Sequence, residues 1–333
     1  MRIGLAGVGR IGAFHAGILS GLPAVESVIV ADADAARARE VAERLGVESA
    51  DSPETLLSSG LNALVITAPT QAHPGLIVRG AEAGLPVFCE KPVAPDIDST
   101  LDVIKRVGSA ATAVQVGFQR RFDAGYGNAR KAAQSGALGW VHTLRATTLD
   151  PAPPAPSYIA ASGGLFRDCG VHDFDAIRWV TNRDVAEAYA VGTNRGADFF
   201  RAAGDVDTMA AMLTLDDDSL AVVSNTRYNG AGYDVRLEVL GSEDSIGVGL
   251  DDRLPLRSAE RGTAFPAGSP YPNFMERFAD AYRCELEAFV DLVAHGGDSP
   301  CTMQDALEAF YIAEACELSL ARHQPVQVGE VRR

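Results

Sequence analysis

Apolar residues in the first 118 positions fall in short unbroken runs, with longer segments of helical spacing between them. The runs are "RIGLAGVG", "ESVIVADAD", "LNALVITAP", "LPVFCEKP" and "TAVQVGF". Their length and β-branched content read as strands buried on both faces. Residues 11–20, "AARAREVAERLG", "SPETLLSS", "HPGLIVRGAEAG" and "DIDSTLDVIKRVG" read as helices. Gly46 is placed to close the second, and Ser52 with Pro53 to open the third. Strands alternating with helices predict a parallel sheet covered by helices on both faces over 1–118.

Beyond residue 119 the period changes. "WVHTLRATTL" is a candidate strand, a proline-rich loop follows, and 185–193, 208–216, 219–227 and 234–241 alternate like half-buried antiparallel strands. Residues 251–273 read as a long loop. Two long helices, "PNFMERFADAYRCELEAFVDLVAHGG" and "TMQDALEAFYIAEACELSLARH", precede a short terminal strand. The expected organisation is an α/β domain at 1–118 and an α+β domain at 119–333.

Composition narrows the classes. A chain of 333 residues with 47% hydrophobic and 22% charged residues has ample material for two buried cores. Its 29 basic against 44 acidic residues give a net charge of −15, which argues against nucleic acid or an anionic membrane as partner. No apolar run approaches the ~20 residues of a membrane helix. The five cysteines are scattered without a C-x-x-C pair, so a reducing compartment, the cytoplasm, is expected.

Gly7-Val8-Gly9-Arg10-Ile11-Gly12 matches G-x-G-x-x-G between a strand and a helix. In that context the glycines permit a tight turn, backbone approach to a pyrophosphate, and close helix packing. Asp32, 20 residues on, suits the adenosine ribose hydroxyls, and its charge favours NAD over NADP. The nearest following basic residue is Arg37, within a predicted helix.

"FRDCGVHDFDAIRW" (166–179) carries Asp168, His172 and Asp175 at i, i+4 and i+7, beside the apolar Val171, Phe174 and Ile177. As a helix it has an oily stripe next to a titratable one. That stripe can be a solvated face, a metal site or a proton-transfer site. Nearby aromatics disfavour the first, and no further His nearby in sequence supports a metal. Proton transfer fits best, because His titrates near neutral pH and alcohol oxidation needs a base.

The glycine loop, Glu90-Lys91-Pro92 and the "GG…D-x-x-x-H" stretch at 163–172 together resemble the Gfo/Idh/MocA oxidoreductases over nearly the whole chain. That resemblance implies a Rossmann domain followed by an α+β domain with an open, mainly antiparallel sheet. It implies Lys91, Asp168 and His172 as the catalytic trio and no metal. It adds Ala68, Pro69, His73, Glu90 and Lys91 to the cofactor contacts, which already include Gly7, Gly9, Arg10, Ile11, Gly12 and Asp32. The implied substrate contacts are Gln119, Arg120, Asp150, Asp168, His172, Asp175 and Tyr233. For His73 simple helix capping, and for Tyr233 simple packing, account for the residue equally well. "VQVGFQRRFD", "SGGLFRDCGVHDFD", "YDVRLEVLGSE" and "ERFADAYRCELEAF" are similar to the inositol-oxidising members of the family. The activity so implied is NAD-dependent oxidation of a cyclic polyol, myo-inositol to its 2-keto form, by a cytoplasmic homo-oligomer, a dimer or tetramer, of inositol catabolism. The alternatives are a pyranose dehydrogenase or keto-sugar reductase of the same family, and a non-catalytic NAD-sensing regulator. The regulator would be expected to lack the lysine or the histidine, and both are present.

Overall fold

The computed structural model describes the whole chain except residues 109–111, 264, 265, 267 and 333. It divides into two compact units, 1–119 with 280–307 and 120–279 with 308–333. The chain therefore crosses back once into its first unit, where a single cut near 119 was expected. Part of the expected long loop at 251–273 lies outside the described residues.

The first unit holds six parallel strands: β1 (Arg2–Ala6), β2 (Ser27–Ala31), β3 (Glu48–Ser49), β4 (Ala63–Ile66), β5 (Val87–Glu90) and β6 (Val114–Gly117). Their order is β3-β2-β1-β4-β5-β6. The order reverses between β1 and β4, so β1, β4 and β5 end around the crevice where such sheets bind ligands. Strands β1, β2, β4 and β5 are almost wholly buried, as runs without alternation require. The two-residue β3 is exposed, and its pattern gave no signal.

The returning helix Ala279–His295 supplies core to this unit. Phe289 packs its ring 5.8 Å from that of Phe88 on β5, and Tyr282 meets Phe14 edge-on at 5.7 Å. Gln115 on β6 donates its amide to the Glu285 carbonyl at 3.0 Å.

The second unit is built on β7 (Val141–Leu149), β8 (Val185–Thr193), β9 (Thr208–Leu215), β10 (Leu220–Thr226), β11 (Asp234–Gly241), β12 (Ser245–Val248) and β13 (Val326–Gln327), in the order β12-β11-β7-β10-β9-β8-β13. Only the β7–β10 pairing is parallel. Helices Val171–Thr181 and Ala124–Gln134 pack on one another within this unit. The former was expected to present a polar stripe beside an oily one. Instead it is buried nearly all round, because its acids are paired internally.

Candidate active site

In the first unit, β1 runs into Gly7, which sits at φ +99° in the region that favours glycine. A Cβ there would collide with the backbone of Ala68, and one at Gly12 with the carbonyl oxygen of Gly7. The first and third glycines are therefore fixed by packing. A Cβ at Gly9 would meet nothing within 4 Å, so the loop is open in front of it. Gly9 caps the helix Arg10–Ser20 without a side-chain hydrogen bond, and the first turn carries no acid. Amides at a helix start with local positive charge suit a phosphate.

Asp32 is held at the far side of this loop. Val8 N donates to its Oδ2 at 2.8 Å and Asp34 N to its Oδ1 at 2.9 Å, leaving acceptor capacity for ribose hydroxyls. The Arg37 guanidinium stands 3.6 Å from the same carboxylate, closer than its place in a helix suggested. Thr67 Oγ1 donates to the Gly7 carbonyl at 2.6 Å and pins the loop after β4 to the glycine turn. Sequence reasoning missed Thr67, because only the β1–β4 pairing brings the two together.

His73 does more than begin a helix. Its Nδ1 faces the Pro92 carbonyl and its Nε2 the Ala68 carbonyl, each at 2.7 Å. It thus joins the Ala68–Pro69 loop to the segment after Lys91. Burial lowers its pKa, so at neutral pH one nitrogen carries the single N–H and donates to one carbonyl. Lys91 itself follows β5 directly, before a cis bond to Pro92. Glu90 turns its carboxylate onto His15 Nε2 at 2.7 Å.

In the second unit a π-helical turn, Phe166–Gly170, leads into the helix Val171–Thr181. Asp168 lies in the turn and His172 in the first turn of the helix. The Asp168 carboxylate accepts from Arg227 Nη2 at 2.6 Å and from the Tyr158 hydroxyl at 2.9 Å. Arg227 also donates through Nη1 to Asp150 Oδ2 at 2.9 Å. One buried guanidinium therefore holds two carboxylates. Burial raises the Asp150 pKa while Arg227 opposes the rise. Tyr158 is 48% exposed as a whole, yet desolvation and the Asp168 charge raise its phenol above the usual range, which keeps it a donor. Arg227 and Tyr158 carried no local motif. The parallel register pairing Thr226 with Leu149 is what sets Arg227 beside Asp150.

Two expected substrate contacts spend their charge elsewhere. Arg120 is buried against Asp173 at 2.5 Å and Thr148 Oγ1 at 2.8 Å, and Asn225 Nδ2 donates to the same aspartate at 2.7 Å. Asp175 receives Arg121 through Nε at 2.9 Å and Nη2 at 2.6 Å. The structure places both in internal ion pairs, since a buried charge must be partnered. Tyr233 is buried, bridges to Tyr271 by backbone pairing and stacks edge-on with Phe274. Gln119 is buried at the start of the short 3-10 turn Gln119–Phe122.

Comparison with known proteins identifies the family. Residues 1–118 match the model of the oxidoreductase family with an NAD-binding Rossmann fold, and 126–247 match the GFO/IDH/MocA C-terminal domain. The chain is 34% identical to a myo-inositol 2-dehydrogenase of Thermotoga maritima over 99% of both chains. It is 32% identical to the scyllo-inositol 2-dehydrogenase (NAD(+)) of Bacillus subtilis, covering 100% of this chain and 97% of that one. Among solved structures, scyllo-inositol dehydrogenase from Lactobacillus casei with bound NAD(H) and scyllo-inositol matches with a TM-score of 0.88 at 28% identity, over 99% of each chain.

Proposed function

We propose that this chain, which belongs to the GFO/IDH/MocA oxidoreductase family, oxidises a secondary hydroxyl of a cyclic polyol with NAD, converting myo-inositol to its 2-keto form. The observation that carries the reading is the Asp168 carboxylate, gripped by Arg227 and Tyr158 one helical turn before His172. A carboxylate and an imidazole one turn apart are the groups with which alcohol oxidation can move its proton. Full-length similarity to inositol dehydrogenases supplies the substrate class.

NAD, when bound, accepts the hydride from the carbinol carbon. The glycine loop, the uncapped helix start and Asp32 fit its pyrophosphate and ribose. His172 takes the hydroxyl proton, and Asp168 stabilises the imidazolium that results. The Lys91 ammonium donates to the oxygen as it gains negative charge. Asp150, Gln119 and Tyr233 are assigned to recognition of the neighbouring hydroxyls. Lys91→Ala and His172→Ala should each lower kcat by at least about 100-fold, with NAD affinity little changed. Near-normal kcat in either variant removes that residue from proton transfer.

One face of the second unit's sheet carries exposed apolar side chains. Tyr189 on β8, Met212 on β9 and Val222 on β10 stand in one register row, with Val191 and Leu220 exposed beside them. A second copy of the chain is the proposed partner for this apolar row. Val222→Glu should lower the mass measured by sedimentation, and an unchanged mass excludes this face. No two of the five cysteines are joined among the described residues. No helix of the described chain is long and apolar enough to cross a membrane. A cytoplasmic role in inositol breakdown is part of the same proposal. Cell fractionation together with growth on inositol of a strain lacking the protein tests it.

A further inference from the structure

Three titratable side chains meet inside the first unit, and two of them, His15 and Glu285, take no part in the chemistry above. They come from the helix Arg10–Ser20, the end of β5 and the helix Ala279–His295. His15 and Glu285 are wholly buried, and the Glu90 side chain is 14% exposed. His15 Nε2 and Glu90 Oε1 are 2.7 Å apart, and one oxygen of Glu285 lies within 4.8 Å of both. Neither carboxyl oxygen of Glu285 makes a hydrogen bond among the described residues. The surroundings are otherwise aromatic, with Phe88 at 5.7 Å and Tyr282 at 5.5 Å from the His15 ring.

We propose that Glu285 is a positioning residue for oxidation by this chain: it completes a His15–Glu90–Glu285 cluster that fixes the end of β5 and the adjoining Lys91. The inference rests on the role assigned to Lys91 above. Two carboxylates so close in an apolar interior cannot both ionise at low cost, so one keeps its proton. Burial and the Glu90 charge push the Glu285 carboxyl well up, and burial is the larger cause. A bridging water can span the remaining separation.

A metal ion is the rival occupant of three such donors. Ligand atoms on one tetrahedral zinc at about 2.1 Å lie about 3.4 Å apart. The His15–Glu90 pair at 2.7 Å is closer than that and has the length of a hydrogen bond. Geometry therefore favours a proton over an ion.

The test uses the full-length protein and two variants. Glu285→Gln keeps a neutral donor of the same shape, whereas Glu285→Leu removes it. Infrared difference spectra at neutral pH should show the carbonyl stretch of a protonated carboxyl in wild type that is missing from Glu285→Gln. Glu285→Gln should keep kcat close to wild type, while Glu285→Leu should lose about 10- to 100-fold in kcat, with the KM for NAD little changed. Persistence of the band in Glu285→Gln, loss of rate in that variant as large as in Glu285→Leu, or stoichiometric metal by elemental analysis would each overturn the proposal. If Glu285→Leu does not fold, the Glu285→Gln spectrum and rate decide alone. Lys91→Ala, assayed in parallel, separates the two levels. An active Lys91→Ala defeats the functional assignment, whereas an active Glu285→Leu beside an inactive Lys91→Ala defeats only this one.

Discussion

Replacing Arg227 by methionine removes the guanidinium that holds both Asp150 and Asp168 while keeping an apolar stem of similar length. Arg227 is 3% exposed, so water cannot take its place. Removing one partner from a buried pair typically costs about 3–5 kcal/mol. Here the loss has a ceiling, because one aspartate can take up a proton and donate it to the other. Protonating a carboxyl of ordinary pKa 3.9 costs about 4 kcal/mol at pH 7 and about 1.5 kcal/mol at pH 5. The sign follows from proton counting. Over this range the folded variant holds a proton that its unfolded chain lacks, so its stability falls as pH rises. With roughly 2–4 °C per kcal/mol for a unit of this size, calorimetry should show a Tm loss of about 8–16 °C at pH 7. At pH 5 the loss should shrink to about 3–6 °C. NAD-linked turnover should fall with it, since Asp168 is then neutral or misdirected. A Tm loss equal at both pH values, or no loss at pH 7, would refute the claim that the two carboxylates depend on Arg227.

Asp32→Ala should weaken NAD binding and raise the ratio of kcat/KM for NADP over NAD by about tenfold or more, worth roughly 1.4 kcal/mol. The Arg37 guanidinium, 3.6 Å from the lost carboxylate, becomes available to a 2′-phosphate. An unchanged ratio, measured with both cofactors under saturating polyol, takes Asp32 out of cofactor selection.

Much of the first unit was legible because its signals are local. The glycine turn, the strand before it and the acid at the end of β2 need only neighbouring residues to make sense, and the parallel sheet follows from strand–helix alternation. What escaped depends on pairing between distant segments. Arg227 is one arginine among many until β10 lies parallel to β7 and brings it to Asp150. The helix Ala279–His295 shows an apolar face in sequence, but that face does not say which core it completes. Phe289 and Tyr282 place it in the first unit, and Glu285 comes with it. Arg120 and Asp175 looked available because a motif records residue types and not their ion-pair partners.

The central claim is tested most directly by following the absorbance of reduced cofactor with purified protein and NAD. Myo-, scyllo- and chiro-inositol would be offered beside glucose, xylose and levoglucosan. Strong NAD-linked turnover of myo-inositol, with the pyranoses far poorer, is the expected result. Turnover of a pyranose alone would contradict the substrate, and tight NAD binding with no turnover of any polyol would contradict the enzyme.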